Sequence, residues 1–396
     1  MSEAPSFPGN AMQGSDTFEF LRQLVTVGPS PQQTQRMAQR SHSDIDWNQL
    51  QRSAEFHGVL PLAARNLIEH YPTLPAEVTK SFRSAYENNL RKNLRFSVEL
   101  ARIAAQFAGR RLRVVPFKGP LLAESVYRDL GLRSFSDLDL LISPRDFEAA
   151  KLTLAELGYR PSQEFSPAVE RLVLRTGYER SFDGDAGKNL VELQWAAVPY
   201  FYAVDLDIDV MLARAGSSIV GGCEMSSLAP EDLLLMLCEH AAKHLWARLI
   251  WIADIAQTMR MQTIDYAQVA VRARALGILR MLGISFWLAK NLLQAELPDA
   301  AQELMAADSR VPSLGSGFAE RVARGATYDF ESTKYFRQIL NLRERRRDRW
   351  RYGWRLVWTP SSADVAAVRL PEMLFPLYGF VRISRLARKL LLRADG

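Results

Sequence analysis

Two aspartates one residue apart, Asp137 and Asp139 in Ser136-Asp137-Leu138-Asp139-Leu140-Leu141-Ile142, are the side chains of this sequence best suited to chemistry. The segment alternates like a strand. A period of two puts both carboxylates on one face, while Leu138 and Leu140 point to the other. Paired carboxylates of this kind hold divalent cations: two ions about 3.5–4 Å apart are bound by such a pair plus a third carboxylate from a neighbouring strand. Glu192, in Val191-Glu192-Leu193-Gln194-Trp195, is placed to be that third ligand. The chemistry served would be phosphoryl or nucleotidyl transfer, which asks a protein to hold Mg²⁺, cradle phosphates and align an attacking group with phosphorus. An isolated Asp-x-Asp is a weak sign, because solvated strand ends and turns carry it too, and Asp205-Leu206-Asp207-Ile208-Asp209 is a second example. The first pair is set apart by Phe117-Lys118-Gly119 and Arg133-Ser134-Phe135-Ser136 before it and by the apolar run after it. The second has no glycine loop ahead of it and reads as a helix start or surface turn.

Other residues have chemical and structural readings side by side. Lys118 and Gly119 close a strand where a helix begins, so the glycine could let phosphate approach backbone N–H groups; the alternative is an ordinary strand-to-helix turn. Arg133 could pair with a triphosphate, or else structurally with Asp137 or Asp129. His240, Lys243 and His244 share one helical face. The histidines have the spacing of a zinc-protease helix, but Ala241 stands where the glutamate is required, which excludes that reading. Lys243 could contact phosphate, with His240 or His244 lending a proton or hydrogen bond; a histidine satisfied inside a helical core is the alternative. Trp246 and Trp251 read as core rather than as nucleobase platforms. Asp254 could orient Lys243 or a histidine, or pair with Arg248.

The run from Arg343 to Arg351, with Trp350 and Tyr352, is basic and aromatic, so it could grip RNA or an acidic acceptor, or simply be a solvated helix face. The tail sets Leu374, Phe375, Leu377, Phe380, Ile383 and Leu386 against Arg382, Arg385, Arg388, Lys389 and Arg393. It could lie on an anionic membrane or pack on the helices before it.

These residues need elements to position them. Residues 1–16 are rich in Pro, Gly and Ser and are expected to be disordered. Residues 17–110 read as helical, with Ser43 a cap ahead of Ile45 and Trp47 and a long helix from Pro75 to Arg110 that Gly109 ends. An α/β core over 111–225 contains strands at Arg113–Phe117, Ser136–Ile142, Tyr178–Phe182 and Leu190–Trp195. The last two form a hairpin across Asp183-Gly184-Asp185-Ala186-Gly187-Lys188-Asn189. Helices follow Pro120 and Ser143-Pro144. Residues 226–396 form a second helical region. It opens with a long apolar helix from Pro230 to Met259, broken near Arg248, and continues with helices over 264–296 and 298–307 and a loop from Asp308 to Ser316. A basic helix over 331–356 and the amphipathic tail from Pro371 to Arg393 close it.

Nearly half the residues are apolar and a quarter charged, as in a soluble globular protein, and the formal charge of +6 suits an anionic partner. The two cysteines, Cys223 and Cys238, cannot build a disulfide scaffold. No basic leader opens the chain and no run is long and apolar enough to span a membrane, so a cytoplasmic location is expected.

Taken together, Phe117-Lys118-Gly119, Leu121, Tyr127, Arg133 and Ser136-Asp137-Leu138-Asp139-Leu140-Leu141 resemble the signature of an uncharacterised nucleotidyltransferase family. That family belongs to the DNA-polymerase-β-like superfamily and is related to AbiEii-type toxin nucleotidyltransferases. The likeness continues through Glu192-Leu193-Gln194-Trp195, Pro230-Glu231-Asp232-Leu233-Leu234, the helix carrying His240, Lys243 and His244, and the C-terminal Tyr352, Thr359-Pro360-Ser361, Asp364, Leu377-Tyr378 and Arg382. It covers residues 80 to 390. Gln194 stands where the family carries histidine, and the glycine loop lacks the superfamily's Gly-Ser pair. The resemblance implies an α+β fold, a small mixed sheet flanked by helices. It also implies transfer of an NMP from an NTP, ATP among them, by two ions of Mg²⁺ or Mn²⁺ held by Asp137, Asp139 and Glu192. Lys118, Gly119, Arg133, Ser136, Lys243, His240 and His244 are the expected nucleotide contacts, and Glu192 the expected aid to deprotonating an acceptor hydroxyl. The acceptor could be a protein, RNA, a sugar or a small metabolite. Rival readings are a non-catalytic nucleotide- or RNA-binding module on the same fold, and a membrane-peripheral assembly protein using the basic C-terminal helix.

Overall fold

The apolar periodicity of the first hundred residues yields helices α1 (Ser15–Leu24), α2 (Trp47–Phe56), α3 (Leu60–His70) and the 34-residue α4 (Ala76–Gly109). The structure, a computed structural model, describes residues 15–26, 32, 34, 35, 45–71, 73–184, 190–330, 332–368 and 370–392. The expected cap Ser43, most of the N-terminal segment, the turn residues 185–189, the Lys389 side chain and Arg393 lie outside what it describes.

The α/β part follows as β1 (Val114–Pro116), α5 (Gly119–Ser125), β2 (Asp137–Ile142), α6 (Phe147–Glu156), β3 (Arg160–Pro161), α7 (Pro167–Thr176), β4 (Glu179–Asp183) and β5 (Leu190–Gln194). Its five strands lie in the order β1-β2-β5-β4-β3, with β2 parallel to β5 and the other neighbours antiparallel. This is the mixed sheet of an α+β fold. Leu138, Leu140, Val191, Leu193 and Phe182 cover one face, where they pack on Phe96, Leu100, Ile103 and Phe107 of α4 and on Phe147 of α6. The alternation that buries these residues leaves the other face to the acidic positions.

A short helix α8 (Ile208–Ala213) comes next, capped by the Asp207 side chain, which accepts from Val210 N–H. The second Asp-x-Asp is therefore a helix start, as expected. The hairpin of β6 (Gly216–Val220) and β7 (Cys223–Ser227) has no counterpart in the sequence reading. Its strands are short and mostly exposed, so they lack apolar alternation, and only the Gly221-Gly222 turn marks it.

Among the described residues ten α-helices follow: α9 (Pro230–Lys243), α10 (Leu249–Met261), α11 (Tyr266–Leu276), α12 (Leu279–Leu293), α13 (Asp299–Ala306), α14 (Val311–Ala323), α15 (Thr333–Leu342), α16 (Arg346–Trp358), α17 (Ser362–Ala367) and α18 (Tyr378–Leu392). The expected helix over 264–296 is two helices, divided at Gly277 with φ +65°. The expected basic helix over 331–356 is also two, divided where Arg343 is buried and donates to the carbonyls of Ala203 and Leu276. The expected loop from Asp308 to Ser316 runs into α14. Its glycine signal has another cause: a Cβ on Gly315 would overlap the Trp287 indole, so the glycine permits close packing on α12. Helices from both ends of the chain share one apolar cluster, in which Phe20, Leu50 and Leu67 join Trp246, Phe286 and Phe318.

Gly277 is the most constrained of these positions, because a Cβ would both strain its left-handed backbone and overlap the buried Asp348 carboxylate. Gly277→Ala is expected to cost about 1–3 kcal/mol in denaturant unfolding. Gly317→Ala, on α14 with open space around it, should be neutral or stabilising by up to about 1 kcal/mol.

Candidate active site

The register of the central strands gathers the carboxylates. Asp139 lies opposite Glu192 across the parallel β2–β5 pair; across the antiparallel β4–β5 pair, Glu192 lies opposite Ser181 and Gln194 opposite Glu179. Cross-strand partners share a face, so Asp137, Asp139, Glu192, Gln194 and Glu179 stand together on the side away from the apolar core.

The loop that delivers β2 is fixed from two sides. On α4, the Asn89 amide donates to the carbonyls of Gly131 (2.8 Å) and Arg133 (3.1 Å), Asn93 donates to Arg133 (2.8 Å), and Lys92 reaches the carbonyl of Phe135 (2.5 Å). On α10, Asp254 accepts two hydrogen bonds from the Arg133 guanidinium at 2.9 Å each and one from the Tyr127 hydroxyl at 2.8 Å. Arg133 is thus committed to a buried pair with Asp254, rather than to Asp137 or Asp129. Asp254 in turn is not the partner of Lys243, a histidine or Arg248.

Lys118 and Gly119 sit where β1 hands over to α5. Gly119 has φ +56° with room for a Cβ, so the glycine is required by backbone conformation and not by space. It is buried and does not line the cavity beside the carboxylates, whereas Lys118 does. The Lys118 ammonium is 3.1 Å from Asp139 Oδ1, and Gln194 Nε2 donates to the same oxygen at 2.7 Å. Burial works to lower the lysine, but Asp139 and Asp137 outweigh it and hold the ammonium above its ordinary range. The carboxylates remain undercompensated. Burial and Asp139 push Asp137 up to about 6. Burial, then Glu179, Asp139 and Asp137, push Glu192 up to about 9.

As the side chains stand, no three His, Cys, Asp or Glu among the described residues form a ready-made metal cluster, and Asp139 is engaged by Lys118 and Gln194. The chemistry of the donor set still fits a hard divalent cation. It consists of carboxylate oxygens from neighbouring strands, crowded enough to resist one another's ionisation.

The opposite wall comes from α9 and α10. The five residues between them turn through Leu245 and Trp246, both left-handed at φ 50°. Trp246 is core, donating to the Ser285 hydroxyl at 2.9 Å. Trp251 is not: it is half-buried, lines the cavity and stacks on His244 with ring centroids 4.7 Å apart and planes 27° apart. His240 and His244 both face the cavity. Burial, with Lys118 acting on His240 and Lys243 on His244, holds both well below the ordinary histidine range, so the rings are neutral. Lys243 lies 4.2 Å from the Tyr178 ring centroid, and burial lowers it. Burial pushes its neighbour Glu239 up to about 7. The cavity has a volume of about 980 Å³, and its walls include Asp137, Asp139, Glu179, Glu192, Lys118 and Lys243. Ser136, exposed at the head of β2, and Arg133 also border it.

Glu179, Lys92 and the two asparagines of α4 were missed in the sequence. Registering the hairpin strands would have placed Glu179 beside Gln194, and Asn89, Lys92 and Asn93 follow the helical spacing of one face of α4. The residues from Arg343 to Arg351 do not border the cavity. Arg343 is buried, Arg345 pairs with Asp348, and Arg351 pairs with Asp205.

Residues 43–294 match the family of uncharacterised nucleotidyltransferases, and this stretch is more than half of the chain, which therefore belongs to that family. Comparison with curated proteins and with solved structures gives no significant match. The likeness to AbiEii-type toxins rests on the sequence motif alone.

A carboxyl whose folded-state pKa is raised adds stability that is full below its unfolded value and is lost as pH rises through the folded one. For Glu192 that window runs from 4.5 to about 9. Without divalent cations, Glu192→Gln should therefore be more stable than wild type at pH 8, by at least about 1 kcal/mol. The difference should shrink towards pH 5, which calorimetric melting across pH would show.

Proposed function

We propose that this chain transfers an NMP from an NTP to an acceptor hydroxyl, using Mg²⁺ or Mn²⁺ held by Asp137, Asp139 and Glu192. The observation that carries the reading is the meeting of these carboxylates on one face of adjacent strands, in a family of nucleotidyltransferases, where Asp139 raises the pKa of Asp137 and both raise that of Glu192. Divalent cations bound there would offset phosphate charge and favour the ionised acceptor oxygen. The remaining work falls to the chain. Lys118 and Gln194 hold Asp139 in orientation. Lys243, on the opposite wall, would meet phosphate oxygens. The neutral rings of His240 and His244 can exchange hydrogen bonds with nucleotide or acceptor without adding charge. Glu192, protonated near neutral pH when no cation compensates it, would take the acceptor proton only once cation binding lowers its pKa. Arg133 acts through Asp254 to fix the loop before β2, and Gly119 shapes the turn that presents Lys118.

A volume of about 980 Å³ lies at the upper end for small-ligand sites, leaving room for an NTP and part of an acceptor. The reading places the chain in the cytoplasm, where NTPs are made; both cysteines are free.

The test is incubation with each α-³²P-labelled NTP, Mg²⁺ or Mn²⁺ and a cell lysate, beside an Asp137→Ala/Asp139→Ala variant. Label is expected to enter an acceptor with wild type and to fall by roughly 10³-fold or more in the variant. Mg²⁺ with nucleotide should raise the melting temperature of wild type alone. Equal inertness of the two proteins, with equal metal–nucleotide affinity, would replace the enzyme with a non-catalytic binding module.

A further inference from the structure

The exposed apolar side chains that nucleotide transfer leaves unused gather on one surface. Of eighteen large hydrophobic residues exposed among the described residues, ten lie between Trp350 and Ile383, outside the stretch matched to the family. Trp350, Trp354 and Trp358 recur every fourth residue on α16 and so form a stripe along its outer face. Their ring centroids are 5.7 Å apart at both steps, and the row continues onto Phe380 of α18 at 5.5 Å. Gly379 permits that join, because a Cβ there would overlap the Trp358 indole. Trp350 is 67 % exposed and Phe380 59 %, while the inner side of α16 is anchored by buried Asp348 and Tyr352. The segment before α18 adds Met373, 91 % exposed, together with Leu374 and Leu377.

The chemistry of this face selects what covers it. Trp350 and Trp354 already stack on each other with planes 10° apart, which leaves no gap for a nucleobase between them. The aliphatic Met373, Leu374, Leu377 and Ile383 offer nothing to a base or a phosphate. The rim is cationic: Arg346 and Arg347 are exposed at the start of α16 and Arg388 near the end of α18. Arg175 lines a crevice of about 670 Å³ with Trp358 and Phe375. Nearby acids are engaged, Asp348 with Arg345, Asp364 with Arg382 and Glu372 with Arg171. Tryptophan backed by aliphatic side chains and rimmed by arginine is the make-up of a face that rests at the headgroup level of an anionic bilayer. We propose that α16, residues 372–377 and α18 form a docking face for an anionic lipid bilayer, which holds the protein at a membrane surface. No helix among the described residues is long and apolar enough to cross the membrane, so the contact is peripheral.

The proposal does not depend on turnover. Purified full-length protein is mixed at low salt with phosphatidylcholine vesicles, pure or containing about a third phosphatidylglycerol, and floated on a density gradient. It is expected to float with the anionic vesicles and to stay behind with the neutral ones. A Trp350→Ser/Trp354→Ser/Phe380→Ser variant, altered only at exposed side chains and checked by circular dichroism, should bind the anionic vesicles ~10-fold or more weakly. Arg346→Glu/Arg347→Glu should weaken binding in a salt-dependent way. Wild type that fails to float, or a triple variant that floats equally well, would overturn the proposal. So would a variant that keeps vesicle binding but loses self-association in ultracentrifugation or affinity for poly(U) RNA.

Discussion

The parallel pairing of β2 with β5 is the constraint on which the site rests, because it alone sets Asp139 beside Glu192. A slip of one residue would turn Glu192 into the apolar layer and Val191 towards the carboxylates. The hydrophobic residues between the acids prevent that slip. Leu138, Leu140, Val191 and Leu193 are buried against α4 and α6, so the same alternation that stabilises the sheet positions the acids. Like charges then accumulate at the cost of ionisation, as the raised values of Asp137 and Glu192 record. The chain answers this directly at Asp139, where the Lys118 ammonium and the Gln194 amide both meet the carboxylate. A surface built in this way is short of positive charge by design of its register, and a divalent cation is the natural complement.

Around the acids, the polar side chains divide into those that face the cavity and those that hold backbone. Asn89 and Asn93 spend their amides on the carbonyls of the loop before β2, and Asp254 gathers Arg133 and Tyr127 from the same loop. A buried ion pair of this kind contributes little net stability but fixes geometry strongly, since removing one partner strands the other. The loop's orientation, and with it the head of β2, is therefore set by helices from two distant parts of the sequence.

Much of this was legible in the residues. The Asp137–Asp139 strand, the turn at Lys118-Gly119, the long helix α4 and the β4–β5 hairpin all carry local signals, in alternation, glycine placement or helical period. What escaped was set by tertiary context. Nothing local shows that Arg133 meets Asp254, which lies 121 residues away. The glycines and serines before Ala323 mimic a loop because Gly315 serves the Trp287 ring rather than a turn. Trp251 reads as core by composition, yet it stands half-buried at the cavity because the left-handed residues Leu245 and Trp246 redirect the helix without any glycine to announce them. The basic run divides between Arg343, Arg345 and Arg351, which are buried or paired internally, and Arg346 and Arg347, which are exposed, a distinction that charge counting cannot make.

The apolar cluster shared by both ends of the chain has a consequence for how the molecule is made. During synthesis α1 to α3 leave the ribosome before the rest of this cluster, since Trp246, Phe286 and Phe318 are translated about two to three hundred positions later. The sheet and α4, whose contacts are closer in sequence, can form a core while those first helices still present uncovered apolar faces. Until translation passes Phe318, those helices settle on one another and on α4, with the rest of their apolar surface still uncovered.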